Sequence, residues 1–107
     1  MDFNLEWGVR QVRIIGNSCS CICTFYWNGK ANVMLVDNVF VDENYRNKGL
    51  GTKLMEFVLE LAKAEGVDSV ELVVNSDNES AKRVYEKVGF EPTQKIHYRK
   101  ILNKWKT

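Results

Sequence analysis

The chain has 107 residues, 45% hydrophobic and 27% charged, with a formal net charge of +1. That composition excludes intrinsic disorder and leaves room for one globular domain, expected to span residues 1–107. A near-neutral balance also argues against a nucleic-acid partner held by bulk electrostatics.

The first third reads as β. Val9 to Ile15 is a mostly β-branched run closed by Gly16-Asn17, and Cys19 to Trp27 is a second run. Asn28-Gly29 is a strong hairpin signal. Val33 to Val41 is the third strand, with Val33, Leu35, Asp37, Val39 and Val41 expected on one face and Met34, Val36, Asn38 and Phe40 on the other. Both faces are largely apolar, which predicts a central strand covered on two sides. A polar, then glycine-rich segment from Asp42 to Gly51 leads into a helix from about Gly51 to Glu65, with Leu50, Leu54, Phe57, Val58 and Leu61 as its apolar face. Gly66 is placed to stop that helix in a left-handed conformation. Val70 to Val74 is a short strand. Ser76 to Asn78 offer N-caps for a second helix, with Ser76 and Glu79 at capping-box spacing; that helix buries Ala81, Val84, Tyr85 and Val88 and ends at Gly89. Phe90 to Leu102, interrupted by Pro92, is expected to return to β. The order β-β-β-α-β-α-β predicts an α/β fold of the α+β, mixed-sheet kind, its third and fourth strands parallel across a helix.

No apolar run approaches the ~20 residues that span a bilayer, so no membrane partner is expected. The acidic opening Met1-Asp2-Phe3-Asn4-Leu5-Glu6 lacks the basic start and apolar stretch of a secretion signal, and the expected location is cytoplasmic. Cys19, Cys21 and Cys23 alternate, so they line one face of a strand as small buried thiols, reduced in the cytosol. Their spacing is wrong for a zinc site, and the single histidine, His97, is far along the chain; no metal is expected.

The chemistry concentrates between Val41 and Leu54. Gly49 and Gly51 let backbone approach a ligand closely, and the helix that follows presents unpaired N–H groups and a positive dipole end, an arrangement suited to phosphate. Arg46 and Lys48 add positive charge. A P-loop is excluded because Gly51-Thr52-Lys53 has the order wrong. A dinucleotide fingerprint is excluded because Leu54 stands where its third glycine belongs.

Arg46-x-x-Gly49-x-Gly51, followed downstream by Asn78-x-x-Ala81-x-x-x-Tyr85-x-x-x-Gly89-Phe90, resembles the GCN5-related N-acetyltransferase (GNAT) family over roughly Val33 to Leu102. The resemblance implies acetyl-CoA as co-substrate. It implies that the backbone of Val39, Phe40 and Val41 bonds the pantetheine arm, and that Arg46, Asn47, Lys48, Gly49, Leu50, Gly51 and Thr52 receive the pyrophosphate. Asn78, Ala81 and Tyr85 then flank the rest of the cofactor. A phenol of pKa about 10 can protonate a departing thiolate without ionising at neutral pH, which makes Tyr85 the expected catalytic acid. Asp37 is the provisional base, with a backbone-bonding role at a bulge as its alternative; His97 is a further conceivable base. No cysteine is expected near the thioester, so direct attack by a primary amine in a ternary complex is the expected mechanism.

Members of the family usually carry two helices between their first and second strands, and Met1 to Gly16 is too short for a strand and both. The acceptor, a small-molecule or peptide amine, therefore has no assigned wall. A non-catalytic acyl-CoA-binding or regulatory module is the alternative reading. Trp7, Trp27 and Trp105, with Phe3 and Phe25, could supply a homodimer surface or the core. Lys95, Arg99, Lys100, Lys104 and Lys106 leave ten basic against fourteen acidic residues in 1–94. That tail is expected to be the solvated face of a last strand and a frayed end.

Overall fold

The computed structural model describes residues 3–46 and 48–103. Five strands form one mixed sheet in sequential order: β1 (Asn4–Gly8), β2 (Gln11–Ile15), β3 (Cys19–Trp27), β4 (Asn32–Val41) and β5 (Ser69–Leu72). The first four run antiparallel to their neighbours, and β4 and β5 are parallel. Helix α1 (Leu50–Glu65) crosses between those two, and α2 (Glu79–Lys87) follows β5. The mixed α+β class and the parallel pair agree with expectation.

The strand inventory differs at both ends. The run from Val9 does not form one strand, because Val9 and Arg10 are a two-residue turn between β1 and β2, with Gly8 opposite Gln11 and Arg10 at φ +57°. Nothing in Val-Arg advertises a turn, and so β1 went unpredicted. At the other end, residues 90–100 form no strand. Alternating side chains predict an extended backbone, but a strand also needs a partner edge. The tail's recorded tie to β5 is the ion pair of Lys95 Nζ with Glu71 Oε2 at 3.5 Å. Ile96, Tyr98, Ile101 and Leu102 stay exposed.

The core lies on one face of the sheet. Val12 and Ile14 from β2, Cys19, Cys21 and Cys23 from β3, and Met34 and Val36 from β4 meet Leu54, Met55, Val58, Leu61 and Ala62 of α1. Helix α2 contributes half-buried Val84, Tyr85 and Val88 to the same cluster. Both helices thus cover one side, and β4 is covered on its other face only in part. The opposite face carries wholly buried Val33 and half-buried Leu35, flanked by Tyr26, whose hydroxyl donates to Glu71. All three thiols are free and buried.

Local chemistry sets the ends. Asn28 Oδ1 accepts the amides of Lys30 and Ala31 at 2.9 Å, which closes the β3–β4 hairpin. Gly66 adopts φ +72° and stops α1 as expected. Asn78, not Ser76, caps α2: its Oδ1 accepts the Ala81 amide at 3.2 Å, so the predicted capping box does not form. Leu54 is wholly buried between α1 and the sheet. Leu54→Ala should therefore cost about 2–5 kcal/mol through lost burial and a residual cavity, read as a lower urea midpoint.

Candidate functional site

Strand β4 contains one residue too many for β3. Ser20 faces Phe40 and Ile22 faces Asp37, so a bulge lies opposite Cys21, with Asn38 in the left-handed region at φ +50°. A one-residue insertion reverses which side every later residue faces. Val41, paired with Cys19, therefore joins the Met34 and Val36 face and not that of Leu35 and Asp37. Phe40, paired with Ser20, goes to the other face and is exposed.

At the same level the sheet opens. Strand β5 pairs with β4 only from Val33↔Ser69 to Val36↔Leu72, after which β4 continues alone to Val41 on that side. A groove of about 530 Å³ runs from this opening, past the start of α1, along α2. Val39, Val41, Arg46, Gly49, Gly51 and Thr52 line one part of it, and Asn78, Ala81 and Tyr85 another. Nine of the sequence-predicted site residues are thus brought together. Asp37, Phe40, Lys48 and Leu50 are not in the lining. Leu50 lies in a separate cavity with Phe57, and Lys48 Nζ sits 5.8 Å over the Tyr45 ring. Asn47 lies outside the described residues. His97 is exposed in the tail.

The loop before α1 is built to leave donors free. A short 3₁₀ turn at Glu43–Tyr45 is capped by Asp42, whose carboxylate accepts the Asn44 amide at 2.9 Å. Arg46 Nε donates to the Val41 carbonyl at 3.2 Å, which ties the loop to the end of β4. Gly49 then takes φ +80°, a conformation that penalises any side chain. No side chain caps α1, so its first-turn N–H groups face the groove with the positive end of the helix dipole. A Cβ at Gly51 would lie 3.8 Å from Val84 Cγ1, so a longer side chain there would grow between the two helices.

Tyr85 is held from behind. Gly89 turns at φ +102°, which lets the Phe90 amide donate to the Tyr85 carbonyl at 2.9 Å and sets the two rings edge to face at 6.1 Å. Burial, with a smaller contribution from the neighbouring Cys21 thiol, pushes the Tyr85 phenol above the usual tyrosine range. Cys21 and Tyr85 belong to the same core cluster. Interaction with Cys23 and burial push the Cys21 thiol up.

On the far face of the bulge, the Asp37 carboxylate accepts the Asn38 amide at 2.6 Å and is exposed. Asp37 and Tyr85 are on opposite sides of the sheet at the place where β4 and β5 part. Sequence reasoning missed Ser80, Arg83, Val84 and Lys87 in the lining, although their spacing marks one face of α2.

With this geometry in hand, comparison with known proteins decides the family. The sequence model of the Acetyltransferase (GNAT) family matches residues 9–90. The chain belongs to that family. An uncharacterised N-acetyltransferase of Methanocaldococcus jannaschii is 35% identical over 78 residues, which is 72% of this chain and 34% of the relative. N-alpha-acetyltransferase 50 of Danio rerio is 42% identical over 60 residues, covering 53% of this chain and 36% of that one. The chain therefore spans about a third of the length of these relatives. Among solved structures, glucosamine-6-phosphate N-acetyltransferase from Arabidopsis thaliana superposes with a TM-score of 0.73 at 24% identity, over 90% of this chain and 69% of its own. AAC(6')-Iy, in complex with a bisubstrate analog containing CoA, gives 0.68 at 21% identity, over 85% of this chain and 68% of its own. At such identities these two structures establish the shared fold.

The raised Tyr85 phenol has a consequence for stability. An unfolded tyrosine ionises near pH 10, while the folded one resists. Its contribution is fully present below about pH 10 and is lost as pH rises through the folded value. Wild type should thus lose more stability than Tyr85→Phe on titration above pH 10, measured by urea unfolding at stepped pH.

Proposed function

We propose that this chain forms an N-acetyltransferase domain that moves acetyl from acetyl-CoA to a primary amine by direct attack in a ternary complex. One observation carries the reading: the groove joins uncapped helix-terminal amides, at a loop holding Arg46, to a half-buried phenol whose neutral form is favoured by desolvation. The residues present fit the cofactor. Uncapped amides and nearby cations suit a diphosphate, and the unpaired side of β4 beyond Val36 offers backbone groups to an amide-bearing arm. Arg46 and the backbone of Gly49, Gly51 and Thr52 hold the diphosphate. The backbone of Val39, Phe40 and Val41 holds the arm, with Asn78 and Ala81 beside it. Acetyl-CoA supplies an acetyl group already activated as a thioester.

Tyr85 is the catalytic acid. Because desolvation favours its neutral form, it can donate to a thiolate of ordinary pKa about 8.5 across the neutral range. Asp37 is the base. Its carboxylate stands on the open face, where an acceptor amine can give up a proton without displacing the donor on the helix side. Separate approaches from two faces suit direct transfer. A cytoplasmic, reducing location belongs to the proposal, supported by three free thiols.

A thiol-release screen with acetyl-CoA against polyamines, amino acids, aminoglycosides and peptide amines tests the activity. Tyr85→Phe should lower turnover on the order of a hundredfold while cofactor affinity changes little. Unchanged turnover removes Tyr85 from the mechanism. Cofactor binding without thiol release from any amine would favour the non-catalytic acyl-CoA-binding module.

A homodimer is also proposed. Trp7 and Trp27 remain 54% and 60% exposed, and Trp7 stacks on Phe25 at 6.2 Å, so β1 and the end of β3 carry a broad aromatic surface. Sedimentation at micromolar concentration should give twice the chain mass, and a monomer there would refute it.

A further inference from the structure

The charge of the groove is one-sided. Three cationic side chains line it, Arg46, Arg83 and Lys87, and no acidic one does. Arg46 belongs to the loop before α1 and is tied to Val41. Arg83 and Lys87 stand four residues apart on α2, exposed, on the face that also presents Ser80 and Val84. The helix does not neutralise them. Lys82, next to Arg83, pairs with Glu79 at 3.1 Å, whereas no ion pair of Arg83 or Lys87 is found among the described residues.

Like charges at i and i+4 repel, and although Lys87 stands in the last turn of α2, where a cation is favoured, no ion pair among the described residues offsets this pair. An anion along the groove would do so. The diphosphate already has its own seat at the α1 amides and Arg46, so the α2 pair is free for another phosphate. We propose that Arg83 and Lys87 form a second phosphate seat, which takes the 3′-phosphomonoester of CoA and selects CoA over its 3′-dephospho form. This rests on the acetyl-CoA reading above. A phosphomonoester carries about −1.5 to −2 charges near pH 7, which two cations match. The Arg83 fork can hold two of its oxygens, and Lys87 adds a point charge one turn further along.

Calorimetric titration of the intact chain with CoA and with 3′-dephospho-CoA tests the seat. Wild type should prefer CoA by roughly tenfold, and the preference should narrow as salt is raised. The double variant Arg83→Gln, Lys87→Gln should bind both ligands alike, at the wild-type affinity for dephospho-CoA. Lys82→Gln, which alters a paired cation on the same helix, should keep the full preference. Both altered side chains are exposed, and each single variant should lose part of the preference, which separates the effect from a folding defect. Equal binding of the two ligands by wild type, or a preference that survives in the double variant, overturns the seat and leaves the acetyl-CoA reading standing. Failure of wild type to bind either ligand overturns both.

Discussion

Two parallel strands that pair over four residues and then separate leave a line of backbone donors and acceptors with no strand partner among the described residues. Beyond Val36 and Leu72, β4 keeps its ladder to β3 but pairs with no described strand on its other side. Unpaired main-chain groups are costly when buried and cheap when solvated, so such a gap persists only where water or a ligand can enter. The bulge at Asn38 fixes where the gap begins. It turns Val41 toward the helices and puts Asp37 on the far side. The groove, the position of Tyr85 and the access from the open face all depend on that parting.

Within the groove, different forces act on different ends. At the α1 terminus the attraction for an anion comes from oriented amides, worth roughly 0.3–1 kcal/mol at an exposed site and more when partly buried. Around Tyr85 desolvation outweighs the effect of Cys21, and it acts in the direction that keeps the phenol a donor. An anion-attracting loop and a neutral donor can coexist in one groove because the buried end is shielded by packing. Phe90, brought back by Gly89, supplies much of that shield. The downstream motif of tyrosine, glycine and phenylalanine is thus a single structural device.

The parts of this site legible in the sequence were local. The spacing of Arg46, Gly49 and Gly51 specifies a turn and a helix start, and that of Asn78, Ala81 and Tyr85 specifies a cap and one helical face; neither needs knowledge of the sheet. What was illegible depended on pairing. A bulge is defined by its partner strand, and Val-Asp-Asn-Val reads as unbroken alternation until Ser20 and Ile22 are placed opposite it. The same limit explains the hairpin at Val9-Arg10, where a turn exists because Gly8 meets Gln11. It explains the tail as well, which has the pattern of a strand but pairs with neither edge of the sheet over 90–100. That Cys21 and Tyr85 share one core cluster was illegible for a related reason: the cluster joins β3 to α2 across more than sixty residues of chain.

Three small thiols under the bulge fit the packing demand there. Bulging β4 increases the local twist and changes the depth of the pocket beneath it, and Cys19, Cys21 and Cys23 fill that space with volumes below those of leucine or isoleucine. A larger β-branched residue at 21 would overpack this buried position, whereas alanine would leave a void there. Cys21 and half-buried Tyr85 belong to one core cluster, so the packing of β3 bears on the position of α2, although no atom of β3 need touch the substrate.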